Sequence, residues 1–295
     1  MKKIILLIFI TLLIFSCQTR QENGKLDKLN QTVEKLKERN EILKKKLDRQ
    51  EKRNEELSKE RKSLQKSLAI KDKIEKSHFL NDIPVTGIQI LCKGNFHGDE
   101  IKNGADKLEW YGLIKQGETY LLKKIKIKVN SRHDVIIDNE GESTGKRVTT
   151  TDMAEPIILI NGLSDVQEGE IPSVELKKKI LYPGEQMSVK LNGEWTSISA
   201  YGTVSPGQSI RSYMLQISST RDGHRTKQIF AGANGFDDSM ISFIWAGDID
   251  GDGALDLIMD LSNHYNVGRL TLFLSSKADE GQLIKRVAEF KTTGC

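Results

Sequence analysis

Between Leu26 and about Lys76 the chain contains no proline and no aromatic residue, and its aliphatic side chains return with a period of 3.5 residues. With Leu26 as position a of a heptad, the a positions read Leu26, Val33, Asn40, Leu47, Asn54, Arg61 and Leu68. The d positions read Leu29, Leu36, Leu43, Gln50, Leu57, Leu64 and Lys71. Such a period, sustained over six heptads, marks helices that associate along a seam. Leucine at d and a repeated asparagine at a favour a parallel two-stranded coil, because paired asparagines satisfy each other only in register. A trimer and a long single helix are the alternatives, and the flanking charges divide: Lys46 and Glu51 would pair between chains, whereas Arg39 and Lys44 would repel. Residues 26–78 are therefore expected to form a coiled-coil stalk that self-associates as a parallel dimer or trimer. Fifty helical residues reach roughly 75 Å.

The net charge of +4 suggests an anionic partner until it is placed along the chain. Residues 18–78 carry 19 basic and 12 acidic side chains, and residues 79–295 carry 24 basic and 29 acidic. Residues 1–17 add two basic side chains, so the positive excess belongs to the signal and stalk, and nothing between Gln18 and Phe79 can stack on bases, so no nucleic acid is expected. Adhesion to anionic headgroups or wall polymer is the sharper reading of the stalk charge, and a solvated helix surface the plainer one.

Lys2 and Lys3 precede an apolar run from Ile4 to Phe15, which is followed abruptly by polar sequence. This is a signal-peptide layout, too short to span a bilayer as a helix of about 20 residues. The junction Ile14-Phe15-Ser16-Cys17 resembles a bacterial lipobox, with Phe15 bulkier than the residue usual at its place. The resemblance implies a signal at residues 1–16, cleavage before Cys17, acylation of Cys17 and a lipidated linker over 17–25. Several acyl chains suffice for stable anchoring. The expected location is the bacterial cell envelope, with the membrane as partner through the anchor. Gln18, where an aspartate would signal inner-membrane retention, points to the outer membrane. Lipidation of Cys17 leaves Cys92 and Cys295, which either bridge in an oxidising compartment or remain two free thiols.

Past Phe79 the pattern changes to alternation and turn residues. Ile125-Lys-Ile127-Lys-Val129 reads as a period-2 strand. Asn192-Gly193 and Asp222-Gly223 sit between strand-like runs as hairpin turns. Pro183-Gly184 and Pro206-Gly207 mark further turns. Residues 79–295 are expected as a mainly β, antiparallel head domain, sandwich-like or barrel-like, with a possible sub-boundary near 139–155.

Asp248-Ile-Asp250-Gly-Asp252-Gly-Ala254-Leu-Asp256 carries the one motif with metal chemistry. Carboxylates at relative positions 1, 3, 5 and 9, with a carbonyl offered by Ala254, can surround one cation with oxygen alone, and Ca2+ suits that donor set. Four carboxylates this close repel without a cation. Position 12 is Met259 rather than a bidentate glutamate, and the flanks 240–246 and 255–261 read as strands, so this is no EF-hand. In the second flank Leu255, Leu257, Met259 and Leu261 alternate toward a core, leaving Asp256 on the loop side. With its flanks, the stretch 243–261 resembles the calcium loops of FG-GAP and VCBS-type repeats. That implies a hairpin loop in which Asp248, Asp250, Asp252 and Asp256 bind Ca2+. The chain has a single copy, against the several of a propeller. His264, Tyr265 and Asn266 follow the second strand and are candidates to approach the ion or line a pocket beside it.

Catalytic candidates are thin: His97-Gly-Asp99 and His133-Asp134 juxtapose histidine with carboxylate, without a nucleophile elbow, phosphate loop or zinc spacing. No catalytic residue is assigned. The expected function is an envelope lipoprotein whose stalk holds a calcium-carrying head for protein or glycan recognition or scaffolding. The alternative is a membrane-tethered hydrolase acting on cell-wall or polysaccharide material. A cleft of converging polar groups would favour the hydrolase, and a flat aromatic surface would favour recognition.

Overall fold

The computed structural model describes residues 25, 28–62, 65, 86–151, 155–164, 166–207, 209–221 and 224–294. The chain divides into two compact units, Met1–Lys66 and Ser67–Cys295. Cys17, Cys295 and the Asp222-Gly223 turn lie outside the described residues.

Among the described residues, the first unit holds a helix, α1, over 28–62. Every described side chain on it is exposed, and the large apolar ones are the heptad residues Leu29, Val33, Leu36, Leu43, Leu47 and Leu57, together with Ile42. An apolar stripe left in water on a helix this long is not explained by propensity alone. No helix among the described residues is long and apolar enough to cross a membrane.

The described residues of the second unit form antiparallel β structure in four sheets. Five strands form the first, in the order β1 (Gln89–Leu91), β7 (Pro156–Asn161), β3 (Trp110–Gln116), β4 (Thr119–Ile125) and β8 (Gly169–Ile171). A three-stranded sheet joins β2 (Gly94–Phe96), β6 (Gly145–Thr150) and β5 (Ile127–Arg132). A four-stranded sheet runs β12 (His224–Gly235), β11 (Ile210–Arg221), β10 (Glu194–Val204), β9 (Gln186–Leu191). The last runs β13 (Ser242–Gly247), β14 (Asp256–Asp260), β15 (Val267–Leu274), β16 (Lys285–Thr293). Part of the 139–155 stretch is thus ordinary sheet, since β6 occupies residues 145–150.

The β13–β16 sheet is the middle layer, buried on both faces. Ile258, Leu272 and Phe290 pack into one core with Leu113, Leu122 and Ile158 of the five-stranded sheet. Leu257, Met259 and Phe273 pack into the other with Ile198, Leu215 and Phe230 of the β9–β12 sheet. The alternation over 255–261 predicts one core face, with Asp256 on the loop side. Because a second sheet covers that side, Ile258 and Asp256 itself are fully buried. A bulge between Phe243 and Trp245 in β13 sends those two rings into different cores, which plain alternation would not do.

The expected Ile125–Val129 strand is divided at Lys126. Ile125 ends β4 in one sheet, Ile127 begins β5 in another, and both are buried in the same core. The Asn192-Gly193 hairpin forms as read, with both residues at positive φ (48° and 90°).

Candidate metal centre

The acidic loop joins β13 to β14, at the end of the middle sheet. Asp248 folds it locally: its Oδ1 accepts the Gly251 N–H at 2.8 Å and its Oδ2 the Gly253 N–H at 2.9 Å. Gly251 and Gly253 sit at φ 80° and 84°, a left-handed conformation that a side chain at either position would strain. Asp256 closes the loop by accepting the Ile249 N–H at 2.8 Å on Oδ2. Three neighbouring segments hold it in place. Asp248 N–H donates to Pro172 O at 2.8 Å, and Asn192 Nδ2 in the β9–β10 turn donates to Gly253 O at 3.0 Å. From the β15–β16 loop, Ser275 donates to Asp256 Oδ1 from N at 2.8 Å and from Oγ at 2.9 Å.

Ligand oxygens of Asp248, Asp250 and Asp256 lie within 4.8 Å of one another. Asp248 and Asp256 are buried, so burial first of all pushes both carboxyls up from the ordinary aspartate value, Asp256 well above it. The charge of Asp250 pushes both the same way, joined at Asp248 by that of Asp252, and the N–H donors of Gly251, Gly253, Ile249 and Ser275 pull back. Ser276 Oγ donates to Asp250 Oδ2 at 2.5 Å, while Asp250 Oδ1 is buried with no hydrogen-bond partner among the described residues. A buried carboxylate oxygen without a donor is costly. A hard cation fits what is there: oxygen donors only, three converging negative charges and one oxygen still unsatisfied.

Asp252 stands outside the converging three. It is exposed, and it accepts the Ala254 N–H at 2.8 Å and the Ser275 hydroxyl at 2.8 and 3.0 Å. Ala254 is buried in the loop beside it. His264 and Tyr265 do not join the site, since they follow β14 and the acidic loop precedes it, leaving the whole strand between them. There His264 stacks on Tyr265 at 4.6 Å and pairs through Nε2 with Asp237 at 2.9 Å. Sequence reasoning missed Ser275, Ser276 and Asn192. The first two form a polar pair at the end of an apolar strand, the third a turn, and only the topology brings them to residues 248–256.

The histidine–carboxylate neighbours of the sequence cross over in space. His97 Nδ1 lies 2.5 Å from Asp134 Oδ2, and His133 Nδ1 lies 3.9 Å from Asp138. The hydrogen bond to Asp134 raises the His97 pKa. Both residues border a cleft of about 290 Å3 with Glu100 and Thr293, and among the described residues no hydroxyl or thiol is hydrogen-bonded to His97. Cys92 is half-buried just after β1. No protein-family model, curated protein or solved structure matches the chain.

Proposed function

We propose that the protein is an envelope lipoprotein, anchored through Cys17, whose helix pairs in parallel with a second copy and carries a Ca2+-bound β head for protein or glycan recognition. The observation that carries the reading is the convergence of Asp248, Asp250 and Asp256 around an unsatisfied carboxylate oxygen. Those three side chains would hold the ion, with Asp252 and the Ala254 carbonyl as further oxygens. The ion's part is structural: it neutralises the loop and ties the β13–β14 hairpin to the turns packed on it. The leucine seam of α1, with Asn40 and Asn54 at a positions, suits a second copy better than an unlike partner, because each asparagine finds its own equivalent across a parallel dimer.

Calorimetric titration with Ca2+ is the direct test, alongside thermal unfolding with and without chelator. A cation at a hundredfold its Kd adds about 2.7 kcal/mol to stability, so Tm should rise on adding Ca2+. Asp250→Ala should abolish the heat and the shift, and should raise Tm in chelator by removing a repulsive charge. No heat and no shift in the unsubstituted protein would end the cation reading.

The hydrolase remains the second reading, favoured by one observation: the His97–Asp134 pair borders a cleft. Loss of a polysaccharide-cleaving activity in His97→Ala would establish it. No turnover of wall or polysaccharide substrates would remove it.

A further inference from the structure

We propose that the outward face of the β9–β12 sheet binds an extended acidic polysaccharide. This rests on the reading of the head as a recognition module, and adds the surface and the ligand class. In β10, Thr196, Ile198 and Ala200 are buried toward the core, so Trp195, Ser197, Ser199 and Tyr201 stand on the opposite face. Trp195 is 61% exposed and Tyr201 39%, which is unusual for two large rings on one strand of a sheet face. They are about 20 Å apart along the strand, at roughly 3.3 Å per residue.

Between the rings the face is a lattice of hydroxyls and amides. Ser188, Ser197 and the largely buried Ser218 stand abreast on three strands, with Lys227 next on the fourth. Gln186, Ser199 and Gln216 form the following row, with Ile229 next on the fourth strand. Ser188 and Ser197 share a hydroxyl hydrogen bond at 2.8 Å, and the Tyr201 hydroxyl donates to Gln216 Oε1 at 3.4 Å. Groups that both donate and accept match sugar hydroxyls, and flat exposed rings at either end match the apolar C–H faces of pyranoses. A protein partner would need a contiguous apolar centre, which the rows between the rings lack. Single-stranded nucleic acid stacks on closely successive rings, and these are too far apart.

The charge selects the class of glycan. Lys190 Nζ lies 5.8 Å from the Trp195 ring centroid, and Arg225 lines a cleft of about 400 Å3 with Trp195, Ser218 and Thr220. The carboxylate bordering that cleft, Glu194, alternates to the other side of β10 from Trp195. In a head with five more acidic than basic side chains, a face gathering Lys190, Arg225 and Lys227 is complementary to a carboxylated polymer.

The test is affinity electrophoresis of the full chain in detergent, through gels containing polygalacturonate, its fully methyl-esterified form, or oligodeoxythymidylate. Polygalacturonate should retard the protein, the esterified polymer much less, and the oligonucleotide least. Trp195→Ala should weaken retardation about tenfold, the loss expected of one well-seated aromatic. Trp195→Phe should keep most of it, and unchanged Tm in both variants would show that folding is intact. Arg225→Ala with Lys227→Ala should flatten the salt dependence. Absence of retardation, equal retardation by the esterified polymer, preference for the oligonucleotide, or an unaffected Trp195→Ala would each overturn the proposal. The Tm of the parent protein with and without Ca2+ separates the two readings: retardation without any Ca2+-dependent shift defeats the cation alone, and a shift without retardation defeats the polysaccharide alone.

Discussion

Single residues in the head carry effects larger than their size. A Cβ on Gly247 would fall 2.3 Å from Pro172 O and 2.4 Å from the Trp245 ring, and Trp245 is among the largest fully buried side chains. Gly247→Ala should therefore destabilise the head by about 1–3 kcal/mol, the usual range for overpacking, seen as a lower Tm. At Asp138, burial opposes ionisation, but donors from the Thr144 hydroxyl, Asp134 N–H and Thr144 N–H outweigh it, helped by His133. The carboxyl is thus held down from 3.8 to about 2. A depressed carboxyl stabilises above its ordinary value and loses that contribution as pH falls toward the folded one. The 133–144 loop should accordingly stay protected at pH 5 and open as pH falls from about 4 to about 2, read by amide exchange at Thr144. Burial raises the Cys92 thiol to about 11, so an unbridged thiol would be protonated and slow to alkylate in the native protein. Labelling of denatured protein without reductant decides its state: full alkylation of Cys92 and Cys295 means two thiols, and none until reduction means a bridge.

At the scale of elements, the heptads of α1 set a clear expectation. On the proposed parallel pairing, Asn40→Ile with Asn54→Ile should raise the helix melting temperature while relaxing the choice of oligomer, because asparagine at a positions specifies register at a cost in stability. Sedimentation of the full chain would read a mixture of species where the parent gives one. The helix over 28–62 and the strands about the Asn192-Gly193 turn and the acidic loop were legible because their signals are local. What stayed illegible depends on which sheets lie against each other. The break at Lys126 and the bulge between Phe243 and Trp245 exist because side chains close in sequence have to reach buried positions in different sheets or cores. The same holds for the site. Its carboxylates and glycines were readable from spacing, whereas Ser275 and Asn192 arrive from turns that only the layered packing places there, and His264 looked near only because β14 is short.

At the scale of the whole head, one sheet serves two cores. Leu257, Ile258 and Met259 of β14 are completely buried, so their amides should be the slowest to exchange, and both flanking sheets should unfold together. Hydrogen exchange with and without Ca2+ should show the protection of the two outer sheets rising in step. That shared sheet is built from residues 242–293, late in the chain, and its last strand reaches back to the first part of the head, where the Thr86 hydroxyl donates to Val287 O at 2.8 Å. Contacts so distant in sequence cannot form early. While the chain is being synthesised, neither core has the layer it closes on. A nascent head of this design keeps both cores open until residues 242–293 have been made, so the strands before them wait on a sheet that follows them in sequence.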